Sequence, residues 1–560
     1  MADSPALPQS LGGASAQGGG KPSWLVVGAV LVACLIAAPV LTLVASLLEA
    51  SGDAGSHLLA TVLPGFIANT LALGALVGIG VAIVGTGTAW LVVACRFPGR
   101  RLLGWLLVLP LACPAYVLAY AYTDFLQHPG PVQTWLRAIT GWGPRDYWFP
   151  QIRSLEGAAL MFVLVLYPYV YLLARTAFLQ QSQGAYEAAR TLGRGAVGAF
   201  LTVALPLARP AIAMGVALAL METLADFGTV AHFGVPTFTT GIYRAWYSLG
   251  DQVAAAQLSV ALLGFVALAL ALERWQRGRA RYDAPISRRP QPRALGPVAR
   301  WLASAACAVP VLLGFILPAG VLLHLTLTTP GGVGARELAL AGNSLTLAAV
   351  TALIAVALAL LLAYAGRLAP GRPTLVAIRT AALGYAVPGS ILAVAILIPL
   401  TALDTALDAW SRARFDLPLG LIFTGSIAAL VYAYLIRFMA LALHTVETGL
   451  GRITPAMDEA ARTLGAGAGE TLRRIHLPLL GGSLLTAGLL VFVDVMKELP
   501  ATLIMRPFNF DTLAVRAHQL ASDERLAQAA LPALAIVVVG LLPVMLLSRQ
   551  IMADGRRDRP

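Results

Sequence analysis

Apolar runs of about 20 residues, the length a helix needs to cross a bilayer, follow one another along the whole chain with short polar connectors between them. They predict twelve membrane-crossing helices, at 24–48, 66–95, 103–123, 156–177, 205–224, 252–272, 301–325, 343–366, 378–401, 419–442, 481–500 and 528–548. An even number returns both termini to one side, and the arginines choose it. Arg96, Arg100 and Arg101 follow the second run, eight arginines from Arg274 to Arg300 follow the sixth, Arg367 and Arg372 follow the eighth, and Arg549, Arg556, Arg557 and Arg559 close the chain. The alternate connectors are poorer in basic residues, although Arg137, Arg145, Arg412 and Arg414 lie in them. The positive-inside rule therefore expects cytoplasmic termini and a cytoplasmic linker.

The pattern is also duplicated. Asn69-Thr70-Leu71 recurs as Asn343-Ser344-Leu345 and Pro114 recurs as Pro388, both 274 residues on. The heptapeptide EAARTLG at 187–193 recurs letter for letter at 459–465, 272 residues on. Six crossings per copy give both copies the same orientation, related by an axis along the membrane normal, which excludes inverted-repeat carriers. The expected organisation is a flexible cytoplasmic tail 1–23, a first half 24–272, a basic linker 273–300, a second half 301–548 and a cytoplasmic tail 549–560.

Composition agrees: 58% of residues are hydrophobic and 12% charged, which no soluble chain of ordinary composition approaches. The net charge of +12 comes from arginines spread among connectors, with lysine only at Lys21 and Lys497; it reads as topology and not as a nucleic-acid surface. The run from Trp24 to Leu48 is longer than the apolar core of a cleaved signal peptide and is expected to stay as the first span. Cys34, Cys95, Cys113 and Cys307 are far apart without metal or redox spacing, so they read as small packing residues. No metal site and no cofactor is expected.

The repeated heptapeptide carries the function. The first copy reads Glu187-Ala188-Ala189-Arg190-Thr191-Leu192-Gly193, then nine residues, then Val203-Ala204-Leu205-Pro206; the second reads Glu459-Ala460-Ala461-Arg462-Thr463-Leu464-Gly465, then nine residues, then Ile475-His476-Leu477-Pro478. Glu-Ala-Ala-Arg is good helix-forming sequence with Glu placed for the first turn, and Gly193 and Gly465 can break the helix. Arg190 with Arg194, and Arg462 with Arg473 and Arg474, leave charge for a soluble partner or lipid headgroups. A lone copy would suit an interfacial amphipathic connector equally well; two copies at equivalent places, on the side the arginines mark as cytoplasmic, do not.

This pattern resembles the EAA signature of binding-protein-dependent ABC importer permeases. The resemblance implies an all-α polytopic membrane protein of about twelve transmembrane helices, two parallel repeats of six, each resembling the MetI-like permease fold. It also implies two copies of an ABC ATPase docked at Glu187, Ala188, Ala189 and Gly193 and at Glu459, Ala460, Ala461 and Gly465, a periplasmic or extracellular substrate-binding protein, and residence in a bacterial inner membrane. The chain has no catalytic set and no ATP-binding sequence of its own, since Gly18-Gly19-Gly20-Lys21 is followed by Pro22 and follows no strand. The segments TFTTGIYRAW and KELPATLIMRPFNFDTLA, in a chain of double length, resemble the ferric-iron branch of these permeases. Importers of thiamine or phosphonates share the architecture.

Charged residues at the mouth of a span are costly and default to function. At the offset of 272, Glu222 aligns with Asp494 and Asp226 with Glu498, and Lys497 lies beside them. They are candidates for a central translocation path, with neutralisation by Lys497 or Arg506 as the competing role. Tyr116, Tyr120 and Tyr122 are expected at the membrane interface, with oxygen donation as the competing role; Trp135, Trp142, Trp148 and Trp410 in the outer connectors read as an interface belt or as a docking surface for a binding protein, and Gly74 and Gly78 as close helix packing. A proton-coupled carrier is the main rival, and it predicts no EAA pair.

Overall fold

The computed structural model describes residues 23–48, 61–181, 189, 191–277, 292–329 and 334–556. The N-terminal tail, Glu187, Ala188, Arg190, most of the linker and the last four residues lie outside the described residues.

Among the described residues eleven helices are long and apolar enough to cross a membrane, and a pair, Arg100–Ala112 and Ala115–Thr140, bent by 94°, makes a twelfth when counted as one broken span. Leu63–Ala94, Leu155–Gln180 and Leu205–Ala225 pack against one another, and Ala335–Leu368, Ile427–Gly451 and Leu477–Lys497 do the same. The duplication extends to single hydrogen bonds. Asn69 Nδ2 donates to the Pro236 carbonyl and Asn343 Nδ2 to the Asp511 carbonyl, each at 3.0 Å.

The two copies are interleaved. The first helix, Ser23–Ala45, packs on Ala335–Leu368, Arg372–Leu383 and Gly389–Phe415 of the second copy. Reciprocally, Pro297–Val311 packs on Leu63–Ala94 and Arg100–Leu106, and Leu317–Thr328 packs on Ala115–Leu126. A two-stranded parallel bridge, Cys95–Arg96 with Arg293–Ala294, ties the end of the linker to the end of the second span.

The third and ninth crossings differ from the continuous runs the hydropathy predicts. Pro114 and Pro388 lack an amide donor and push the residue before them into extended backbone. Cys113 (ψ 115°) and Val387 (ψ 119°) are extended accordingly, so 103–123 and 378–401 each contain a break. The tenth helix begins at Ile427, not 419, because Asp404 reaches from the preceding helix to accept the Ile422, Phe423 and Thr424 amides and holds that segment as a turn. Trp410, Arg412 and Arg414 consequently lie on the helix Gly389–Phe415 and not in a connector.

Close packing also falls elsewhere than expected. Gly74 and Gly78 leave room for a Cβ, their nearest neighbours being Leu220 and Val216 at 3.6 Å or more. The tight crossing is at Gly215, where a Cβ would sit 2.6 Å from Val170 Cα.

Candidate functional site

Five residues singled out from the sequence, Glu222, Asp226, Asp494, Lys497 and Glu498, line one cavity of about 110 Å³ between the copies. Its wall is completed from the first copy by the segment around Pro114 and by Tyr169, and from the second by Arg437. It lies where the fifth crossing ends at Ala225 and the eleventh at Lys497, each followed by a short helix, Gly228–His232 or Pro500–Met505.

The carboxylates at the breaks have the same local job in both copies. Asp226 accepts the Thr229 amide at 2.8 Å and the Thr229 hydroxyl at 3.2 Å. Glu498 accepts the Ala501 amide at 2.9 Å, the Thr502 amide at 3.1 Å and the Thr502 hydroxyl at 2.8 Å. Each satisfies the free amides that open a short helix and places negative charge at its positive end.

The remaining partners are not duplicated. Lys497 Nζ lies 2.8 Å from Asp494, and Arg437 Nη1 lies 3.6 Å from Glu498. At the 272 offset, Ala225 and Val165 stand where the second copy has Lys497 and Arg437. Glu222 instead receives the Tyr385 hydroxyl of the other copy at 3.1 Å. Arg506 pairs with Asp511 and not with the cavity acids. Arg437 was legible as a lone charge inside the apolar run 419–442, which is costly there without a purpose. Tyr169 and Tyr385 carry no such signal.

The three tyrosines expected at the membrane interface are buried instead. The Tyr116 hydroxyl donates to the Lys497 carbonyl at 3.2 Å, Tyr120 is 2.9 Å from His518 Nδ1, and Tyr122 donates to the Leu313 carbonyl at 2.8 Å. Each of these bonds joins one copy to the other. On the outer connectors Arg153 makes a bidentate pair with Glu524, at 2.6 and 2.8 Å, again across the copies.

The second EAA loop is a helix, Pro455–Thr463, ended by Gly465 in left-handed backbone (φ 82°) with the Ala466 amide returning to Ala461. Glu459 and Ala460 are on this helix, but its first turn holds Asp458 and not Glu459 as its acid. In the first loop Gly193 has the same φ of 82° and the Arg194 amide returns to Ala189. Beside each glycine a leucine stands out, Leu192 at 83% and Leu464 at 86% exposure. The sequence pattern does not single out these two.

Residues 74–281 match the family described as binding-protein-dependent transport system inner membrane component. The molybdenum transport system permease protein ModB of Escherichia coli (strain K12) is 32% identical over 196 residues, which cover 33% of this chain and 81% of ModB. The chain belongs to this family. As a binding-protein-dependent permease it also has a relative of its own double length: the Fe(3+)-transport system permease protein FbpB 2 of Haemophilus influenzae is 23% identical over 536 residues, 94% of this chain and 98% of FbpB 2. The fused permease is thus a multi-pass membrane protein of two MetI-like repeats, and its relatives are transport permease subunits.

Proposed function

We propose that this permease forms the whole membrane pore of an ATP-driven importer of ferric iron, with the cavity between the copies as its translocation path. The charge of that cavity carries the reading. Four carboxylates, Glu222, Asp226, Asp494 and Glu498, face two cations, Arg437 and Lys497, a formal surplus of negative charge when all six are ionised. In a site shielded from water such a surplus attracts a cation and repels an anionic cargo such as a phosphonate. Carboxylate and phenol oxygens are also the donors that hard metal ions take. The double-length relationship to an Fe(3+) permease supports the same cargo.

Two copies of an ABC ATPase dock at the EAA loops, with Glu187, Ala188, Ala189 and Gly193 on one and Glu459, Ala460, Ala461 and Gly465 on the other. The exposed Leu192 and Leu464 support that docking. ATP binding draws the loops together and rocks the copies about the cavity, while a substrate-binding protein delivers iron at the outer connectors. The termini and the linker are cytoplasmic in this reading, which the arginine distribution supports.

Uptake into vesicles holding the permease and its ATPase tests the cargo. Ferric iron and thiamine are offered in turn, each with its binding protein, and ATP-dependent accumulation of iron alone is expected. Accumulation of thiamine without iron, or uptake that persists without ATP, would overturn the proposal.

A further inference from the structure

The two EAA loops share a heptapeptide but not the residues beside it. In the second, Asp458, immediately before Glu459, is held from two sides. Arg367 at the end of the eighth crossing donates Nε to Asp458 at 2.8 Å, while its other nitrogens bond the Leu450 carbonyl at 2.8 Å and the Ile453 carbonyl at 2.9 Å. His476, fully buried at the base of the eleventh crossing, puts Nε2 2.7 Å from the other Asp458 oxygen. Its Nδ1 is buried without a hydrogen-bond partner among the described residues, so the Asp458 contact is what satisfies this ring. Beyond the glycine break, Tyr364 donates to the Ala468 carbonyl at 2.7 Å. One carboxylate therefore joins the coupling helix to the ends of the eighth and tenth crossings and to the start of the eleventh.

The first loop cannot build this clamp. At the 272 offset Asp458 corresponds to Tyr186 and His476 to Ala204, and at 274 Tyr364 corresponds to Trp90. Arg96, which follows the second crossing as Arg367 follows the eighth, is exposed. Among the described residues of the corresponding region, Trp90 lies against Phe178 and Phe200 with ring centres 5.3 and 4.8 Å apart. Phe178 and Phe200 correspond to Leu450 and Leu472. Charge-assisted bonds of fixed direction resist sliding and rotation in a way that apolar contact does not.

We propose that the loops are inequivalent levers, with Asp458, Arg367 and His476 as positioning residues that make the second loop the stiffer link between ATPase closure and the cavity. The inference rests on the reading that both loops dock the ATPase, and a cargo-independent experiment separates the two. Cys113 lines the cavity and serves as reporter, with Cys34, Cys95 and Cys307 replaced by alanine. Its labelling rate by a small thiol reagent is measured in the permease–ATPase complex with and without ATP and vanadate. In parallel, cysteines at positions 192 and 464 are cross-linked to the ATPase.

Asp458→Asn and Arg367→Gln are expected to leave cross-linking at 464 in place and to cut the nucleotide-dependent change at Cys113 at least fivefold. Phe200→Leu, in the first loop's mounting, is expected to change it less than twofold. His476→Gln, which can still donate to Asp458, should keep the response that His476→Ala loses. Cross-linking retained with an unaltered Cys113 response in the Asp458 and Arg367 variants overturns the clamp alone, as does equal sensitivity to Phe200→Leu. Absence of ATPase cross-linking at both loops overturns the docking reading and the clamp with it.

Discussion

Replacing Glu498 by glutamine changes one oxygen to an amide and removes one charge, and the surroundings fix the cost. Its two oxygens accept the Ala501 and Thr502 amides and the Thr502 hydroxyl, and Arg437 lies 3.6 Å away. The glutamine oxygen can serve only one side. If it keeps Thr502, the Ala501 amide faces an NH2 group, and a hydrogen bond to a charged acceptor worth about 1.5–3 kcal/mol is lost. Arg437, 12% exposed in its side chain, is left without its carboxylate, and breaking a buried pair from one side costs about 3–5 kcal/mol. The cavity allows some hydration, which reduces both terms, so the total is expected below their sum, at about 3–4 kcal/mol, or more than about 100-fold in the folding equilibrium.

The repeat itself supplies the control, because valine stands at the equivalent of Arg437. Arg437→Val with Glu498→Gln removes the stranded cation and is expected to restore about 2 kcal/mol relative to the sum of the single changes. Unfolding followed by intrinsic fluorescence in lipid nanodiscs gives the four corners of this cycle, and iron uptake is measured on the same samples. A double variant that is stable yet transports poorly separates the path from the fold. A Glu498→Gln protein within about 0.5 kcal/mol of the parent, the range of an innocuous surface change, would refute the reasoning, and so would strict additivity.

Asp226→Asn should be far milder, about 1 kcal/mol or less in the same unfolding assay, since asparagine caps short helices nearly as well as aspartate and no Arg437 counterpart is stranded. Gly215→Ala drives a methyl group into the backbone of Val170 and is expected to cost about 2–3 kcal/mol, read as a lowered unfolding midpoint. The Arg153 guanidinium, through its hydrogen bonds and charge, holds the Glu524 carboxyl below its ordinary value. Their contribution is therefore complete above the ordinary glutamate range and is lost as pH falls through the lowered value. Both side chains are well exposed, so the coupling between Arg153→Gln and Glu524→Gln should be about 0.5 kcal/mol near neutral pH and should vanish well below about pH 4.

Hydropathy alone determined that this is an all-helical membrane chain, because burial in lipid leaves few alternatives to an apolar run of fixed length. The EAA copies were legible because seven letters recur at a fixed offset, and the acidic pairs because charge inside or at the mouth of a span is too costly to be incidental. Where the runs break was not legible from apolar content, since Pro114 and Pro388 interrupt helices without interrupting hydrophobicity. Tertiary structure decided that Tyr116, Tyr120 and Tyr122 are buried between the copies, that the first helix of each copy packs on the other, and that Arg437 and Lys497 face four carboxylates across one cavity. It also tied the second EAA loop to the crossings, because Arg367 and His476 meet Asp458 only when the chain folds.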